Sequence, residues 1–228
     1  MASPFMLPLE ASDGNPLVHK FHRQDEDPSG LLITLPGNHY GVDGQLLYYP
    51  SELLLEAGWD TLALTYGFQS AAIEFSHEAM PGILQECQGA MQLVLSERDY
   101  PSIGLVGKSL GSFVIAQLCS CEEGLENARC VYLTPPIGTS FFDMFFLQTT
   151  QPAHLAIGTK DRFYNSQALA ELQAKRAFCL TLIQGADHSM NVAGDLAASI
   201  DAVRTVAQNA VDFLLMNQES GKRNQLIR

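Results

Sequence analysis

Apolar residues along this chain fall into short continuous runs separated by longer stretches of helical period. The runs at 31–35, 61–65, 102–106, 129–133, 153–157 and 179–183 are five residues each and mostly apolar. That is the length and pattern of strands buried on both faces. An earlier run at 17–23 alternates polar and apolar residues, as an antiparallel strand with one wet face does. Between the runs lie predicted helices over 45–57, 77–96, 110–123, 166–176 and 195–216. Gly58 and Gly124 supply C-terminal stops, and Pro81 falls near a helix start, where proline is tolerated. Strand alternating with helix this regularly predicts an α/β fold: a mostly parallel sheet of about seven to eight strands, with helices on both faces. Nothing divides residues 1–228, so one domain is expected, with 218–228 a polar, frayed tail.

One strand-to-helix junction carries chemistry. Gly107-Lys108-Ser109-Leu110-Gly111 reads G-x-S-x-G and joins the 102–106 run to an apolar helix. The pattern alone arises by chance in roughly one chain in ten of this length, so its context matters more. A sharp turn from strand to helix holds the serine in a strained conformation and lifts its hydroxyl above the carboxyl end of the sheet. Serine barely ionises at neutral pH, so an imidazole must take its proton and a carboxylate must hold the imidazole in the right tautomer. Two later strands end in suitable turns. One carries Gly158-Thr159-Lys160-Asp161 and the other Gly185-Ala186-Asp187-His188. Asp187 is a rival acid, but a residue adjacent to the histidine is badly placed to reach its outer ring nitrogen.

The serine turn, the G-x-x-D turn and the D-H turn, in that chain order, resemble the α/β-hydrolase superfamily, and in particular its small lidless esterases of the dienelactone-hydrolase type. The resemblance spans about Leu17 to the last helix. It implies Ser109 as nucleophile, His188 as general base and Asp161 as triad acid. It also implies an oxyanion hole made by the N–H of Leu110 and by that of Asn38, in a Pro36-Gly37-Asn38 loop where many relatives carry His-Gly-x. No metal and no organic cofactor is implied. The expected reaction is hydrolysis of small soluble carboxylic esters or thioesters through an acyl-enzyme. An amidase or peptidase would use the same triad, and a non-catalytic interaction protein on the same scaffold is the other class of reading.

Composition narrows the partners. Hydrophobic residues make up 46% of the chain, enough for a full core, and the formal net charge is −12. That charge argues against nucleic acid and anionic membrane surfaces, leaving a small-molecule substrate as the expected partner. No run approaches the roughly 20 apolar residues of a membrane span, and the first residues do not read as a signal peptide. The five cysteines lie in or beside apolar segments and read as reduced thiols, so a cytoplasmic protein is expected.

Pocket residues are less defined. The interval 135–152 is too short for a large cap domain, and it holds Phe141-Phe142-Asp143-Met144-Phe145-Phe146, with Ser140 as an N-cap. These rings either pack into the core or overhang the serine, and Phe145 and Phe146 are the candidates to line an acyl pocket. His39 and Tyr40, in the oxyanion loop, are further pocket candidates. His154 reads as an interior histidine with its polar atoms satisfied. Lys108 reads either as a charge favouring an anionic substrate or as half of a salt bridge.

Overall fold

The structure is a computed structural model describing residues 5–10, 14, 16–121 and 124–216. Eight strands form one sheet: β1 (Phe5–Glu10), β2 (Pro16–His22), β3 (Leu31–Leu35), β4 (Asp60–Ala63), β5 (Ile103–Lys108), β6 (Arg129–Leu133), β7 (Ala153–Gly158) and β8 (Cys179–Ile183). Their spatial order is β1-β2-β4-β3-β5-β6-β7-β8. Only the pairs involving β2 are antiparallel. The helices are α1 (Gln45–Glu56), α2 (Gly67–Ser70), α3 (Met80–Glu97), α4 (Leu110–Cys121), α5 (Ser140–Gln148), α6 (Ser166–Lys175) and α7 (Leu196–Leu215).

Alternation along the central strands builds two cores. Leu31, Ile33 and Leu35 of β3 face a core shared with α3, α4 and α5, whereas Leu32 faces the core under α1 and α7. Cys130 and Tyr132 of β6 and Leu155 and Ile157 of β7 join the first core; Val131, Leu133 and Ala156 join the second. Each fully buried Leu or Phe contributes roughly 1.5–3 kcal/mol, which is why these runs carry almost no polar residues. α7 buries Val203, Val206, Ala210 and Phe213 at helical spacing, and its N-cap Asp195 accepts from the Ala198 N–H.

The sequence reading missed two elements and misplaced one cap. β1 contains Pro8, which argues against a strand, but β1 is the edge strand, where a missing N–H is tolerated. α2 has four residues, too few to show a period. The N-cap position of α5 is Thr139, not Ser140, which is the first helical residue, and the Thr139 hydroxyl donates to the Pro136 carbonyl rather than capping the helix. The predicted tail 218–228 lies outside the described residues. Among the described residues, no helix is long and apolar enough to cross a membrane.

Two buried histidines tie stability to pH. His154 bonds through Nε2 to the Thr181 hydroxyl at 2.8 Å, but its Nδ1 is buried without a partner, so it is only half satisfied. Burial pushes His154 and His19 each down to about 4. A histidine whose folded pKa is depressed is protonated first in the unfolded chain. Between about pH 6.5 and 4 the unfolded state therefore binds more protons, and stability falls as pH falls. The urea midpoint should hold steady near neutrality and decline through that window. The decline should be shallower in His154→Gln, and an equal slope in the variant would refute the linkage.

Candidate active site

The strand order reverses beside β3. The chain leaves β3 for β4 on one side and returns to β5 on the other, which opens a crevice at the carboxyl ends of β3 and β5. Ser109 sits there, between β5 and α4, with φ of +55°. Two glycines make that turn possible by close approach. A Cβ on Gly107 would lie 2.5 Å from the Gly111 backbone, and one on Gly111 would lie 2.1 Å from the Leu35 carbonyl oxygen. The turn is pinned by the Ser109 N–H donating to the Leu133 carbonyl at 2.8 Å and by the Ser112 hydroxyl donating to the Gly107 carbonyl at 2.7 Å.

The turns after β7 and β8 bring two side chains to the same crevice. His188 Nε2 lies 3.1 Å from Ser109 Oγ, and His188 Nδ1 lies 3.0 and 2.9 Å from the two oxygens of Asp161. The Asp161 side chain is fully buried and accepts from the Phe163 N–H at 2.9 Å, so its carboxylate is held from both sides. Asp187 is occupied elsewhere: its Oδ1 accepts from the N–H groups of Ser189 and Asn191 at 2.8 and 2.9 Å, closing the histidine's own loop.

Asn38 and Leu110 line the cleft beside Ser109. Leu110 is the first residue of α4, and the first N–H groups of a helix have no acceptor within it. On the other side, the carbonyls of Gly37 and Asn38 both accept from the Gln69 side chain, at 2.8 and 3.3 Å. The cleft has a volume of ≈ 320 Å³ and is mainly apolar, with Phe75, Phe113, Phe141, Phe142 and Phe163 among its walls and His77, Thr139 and Arg162 among its polar residues. A larger cleft of ≈ 570 Å³, lined by Asp25, Glu26 and Asp27 among others, contains none of these residues. Among the described residues, no group of three or more His, Cys, Asp or Glu stands close enough to hold a metal ion.

All four residues expected to line the pocket lie outside it. Phe146 is fully buried, stacked on Phe142 at 5.5 Å and edge-on to Tyr132 at 5.2 Å. Phe145 packs against Phe113 at 5.9 Å, one layer away from the cleft. His39 is exposed, with Nε2 3.8 Å from Glu74. Tyr40 packs on the second core, and its hydroxyl accepts from the Leu46 N–H at 2.8 Å. The walls the sequence reading missed had partial signals. Arg162 and Phe163 directly follow Asp161, so any turn that presents the aspartate presents them too. Phe142 and Phe146 are four apart and share one helix face, which leaves Phe141 on another. Phe75 lies in the loop before α3 and His77 opens the 3-10 turn that leads into it, and no local pattern fixes the path of that segment over the sheet. Lys108 is neither exposed to substrate nor ion-paired. It is 3% exposed, with Nζ 4.9 Å from the centre of the Tyr40 ring and no carboxylate oxygen of a described residue within 4.0 Å.

No protein-family model matches the chain, and no curated protein sequence matches it. Known structures do. An α/β serine hydrolase homologue from Coxiella burnetii superposes with a TM-score of 0.71 at 14% identity, over 92% of this chain and 98% of that one. A lidless α/β serine hydrolase from Xanthomonas campestris gives 0.67 at 17% identity, over 92% and 94%. A dienelactone hydrolase from Anabaena variabilis gives 0.67 at 17%, over 93% and 97%. At such identities the likeness establishes the fold. The chain has the α/β-hydrolase fold, without a large cap domain, as its three motifs implied.

Proposed function

We propose that the protein is a serine hydrolase acting on small carboxylic esters through an acyl-enzyme. The observation that carries this reading is the continuous Ser109–His188–Asp161 hydrogen-bonded chain, at 3.1 and 2.9 Å, opening onto an apolar cleft at the switch point of the sheet. In this mechanism Ser109 Oγ attacks the ester carbonyl while His188 Nε2 takes its proton. Asp161 keeps the Nδ1 proton of His188 facing inward and stabilises the imidazolium that forms. The N–H groups of Leu110 and Asn38 donate to the oxyanion. His188 returns the proton to the leaving alcohol, then activates water against the acyl-enzyme by the same route. Thioesters fit the same geometry. The direct test is labelling by a fluorophosphonate probe together with turnover of aryl esters. Folded protein in which the probe leaves Ser109 untouched would overturn the reading.

The cleft favours short or planar acyl groups. Its volume of ≈ 320 Å³ and its phenylalanine walls admit chains up to about six carbons, and α5, with nine residues, supplies no mobile flap for an oil–water interface. Phe141 and Phe146 should separate wall from core. Phe141 is 60% exposed and faces His77 at 6.1 Å, so Phe141→Ala should broaden acyl-chain tolerance with little loss of stability. Phe146→Ala should lose about 3–5 kcal/mol and leave the chain-length profile unchanged. A panel of 4-nitrophenyl esters from acetate to decanoate, with urea titrations of both variants, checks the pair.

A further inference from the structure

Lys108 belongs to the serine turn, yet its side chain is buried and is not among the residues that line the cleft. Its stem and carbonyl press on the oxyanion loop: a Cβ built on Gly37 would lie 3.2 Å from the Lys108 carbonyl oxygen and 3.3 Å from Lys108 Cδ. The ammonium lies over Tyr40, at the far end of the same loop, 4.9 Å from the ring centre. That loop is a tight turn, closed by the Gly37 N–H donating to the Tyr40 carbonyl at 2.9 Å. Tyr40 is anchored in turn by the Leu46 N–H at 2.8 Å. One lysine therefore touches both ends of the turn that carries Asn38, and it is covalently next to Ser109.

We propose that Lys108 is the positioning residue of the oxyanion loop, clamping the Gly37–Tyr40 turn onto the serine strand so that the Asn38 N–H keeps its place relative to Ser109. A buried ammonium is costly unless something offsets it, and a hydrophobic residue would fill this space with less penalty. Burial lowers Lys108 to about 8, with Arg162 acting in the same direction and the carboxylates of Asp161 and Asp187 opposing it. The neutral ring of Tyr40 lies against it as well, its own phenol raised by burial. The cation–π contact needs the protonated amine. It is present below about pH 8 and lost as pH rises through that value.

The proposal rests on the serine-hydrolase reading, so turnover that disappears in Ser109→Ala is established first; its absence would count against that reading rather than against the clamp. Lys108→Met keeps the stem and removes the charge. It should lower kcat by roughly tenfold, less than the 10²–10³ that loss of a whole oxyanion donor costs, with KM little changed. The fall of kcat above pH 8 should disappear with the lysine. Amide hydrogen exchange of Gly37–Tyr40 should speed up in the variant, and this readout does not depend on turnover. Tyr40→Leu removes the other half of the contact. It should reproduce both effects, and the double variant should be no worse than either single one. Should Lys108→Met fail to fold, Tyr40→Leu gives the same two readouts. A kcat within twofold of wild type, unchanged exchange in the turn, or additive effects of the two substitutions would each overturn the clamp.

Discussion

Replacing Ser109 by Ala should lower ester turnover by about three to six decades while leaving the fold in place. The Ser109 hydroxyl is the group that His188 Nε2 meets, at 3.1 Å, and without it His188 has only water to activate. The residual rate then reflects binding and the oxyanion donors alone. The fold should survive because the side chain does little to hold the turn. The Ser109 N–H bond to Leu133, the Ser112 hydroxyl on Gly107 and the Gly107–Gly111 close approach remain in the variant. Alanine at φ of +55° is strained no more than serine. The measurement is kcat/KM on 4-nitrophenyl butyrate alongside the urea midpoint. Full activity in the variant would remove Ser109 from the mechanism.

Much of this arrangement could be read from the chain because burial imposes simple patterns. A strand covered on both faces must be continuously apolar, so β3, β5, β6 and β7 stand out in the sequence. Carboxyl ends of strands are where the chain must turn, and Ser109, Asp161 and His188 follow β5, β7 and the edge strand β8. β1 was hidden because its partner is distant in no sequence sense but its own pattern is broken by Pro8, which only an edge position accommodates. The pocket walls were hidden for a different reason. A ring at a helix surface can face either core or cleft, and the choice depends on how α5 is rotated against α4. Phe142 and Phe146 settle that rotation by stacking on each other and against Tyr132, which turns Phe141 outward to the cleft and sets Phe145 against Phe113. Lys108 shows the limit of reading charge from sequence. Its nearest partner is an aromatic face contributed by a loop some seventy residues earlier, and no spacing rule pairs the two.

Asp161→Asn should cost on the order of 10⁴ in turnover, whereas Asp187→Asn should cost only a few-fold. The difference follows from what each carboxylate holds. Asp161 meets His188 Nδ1 with both oxygens, at 3.0 and 2.9 Å, in a buried site where it also accepts from the Phe163 N–H. An asparagine there can still accept from Phe163 through its oxygen, which leaves its NH₂ facing Nδ1. That arrangement favours the tautomer with the proton on Nε2, and Nε2 then cannot take the proton of Ser109. It also removes the negative charge that stabilises the imidazolium formed during attack. Asp187 has neither task. Its Oδ1 closes the loop through Ser189 and Asn191, and an amide oxygen can accept the same two bonds. The loss in Asp187→Asn should therefore appear mainly as about 1 kcal/mol of stability, from exchanging a charged acceptor for a neutral one. Steady-state kinetics on both variants at pH 8, with stability measured in parallel, decides between the carboxylates. The reverse ranking of turnover would move the triad acid to Asp187 and leave the two short Asp161 contacts to His188 without a catalytic role.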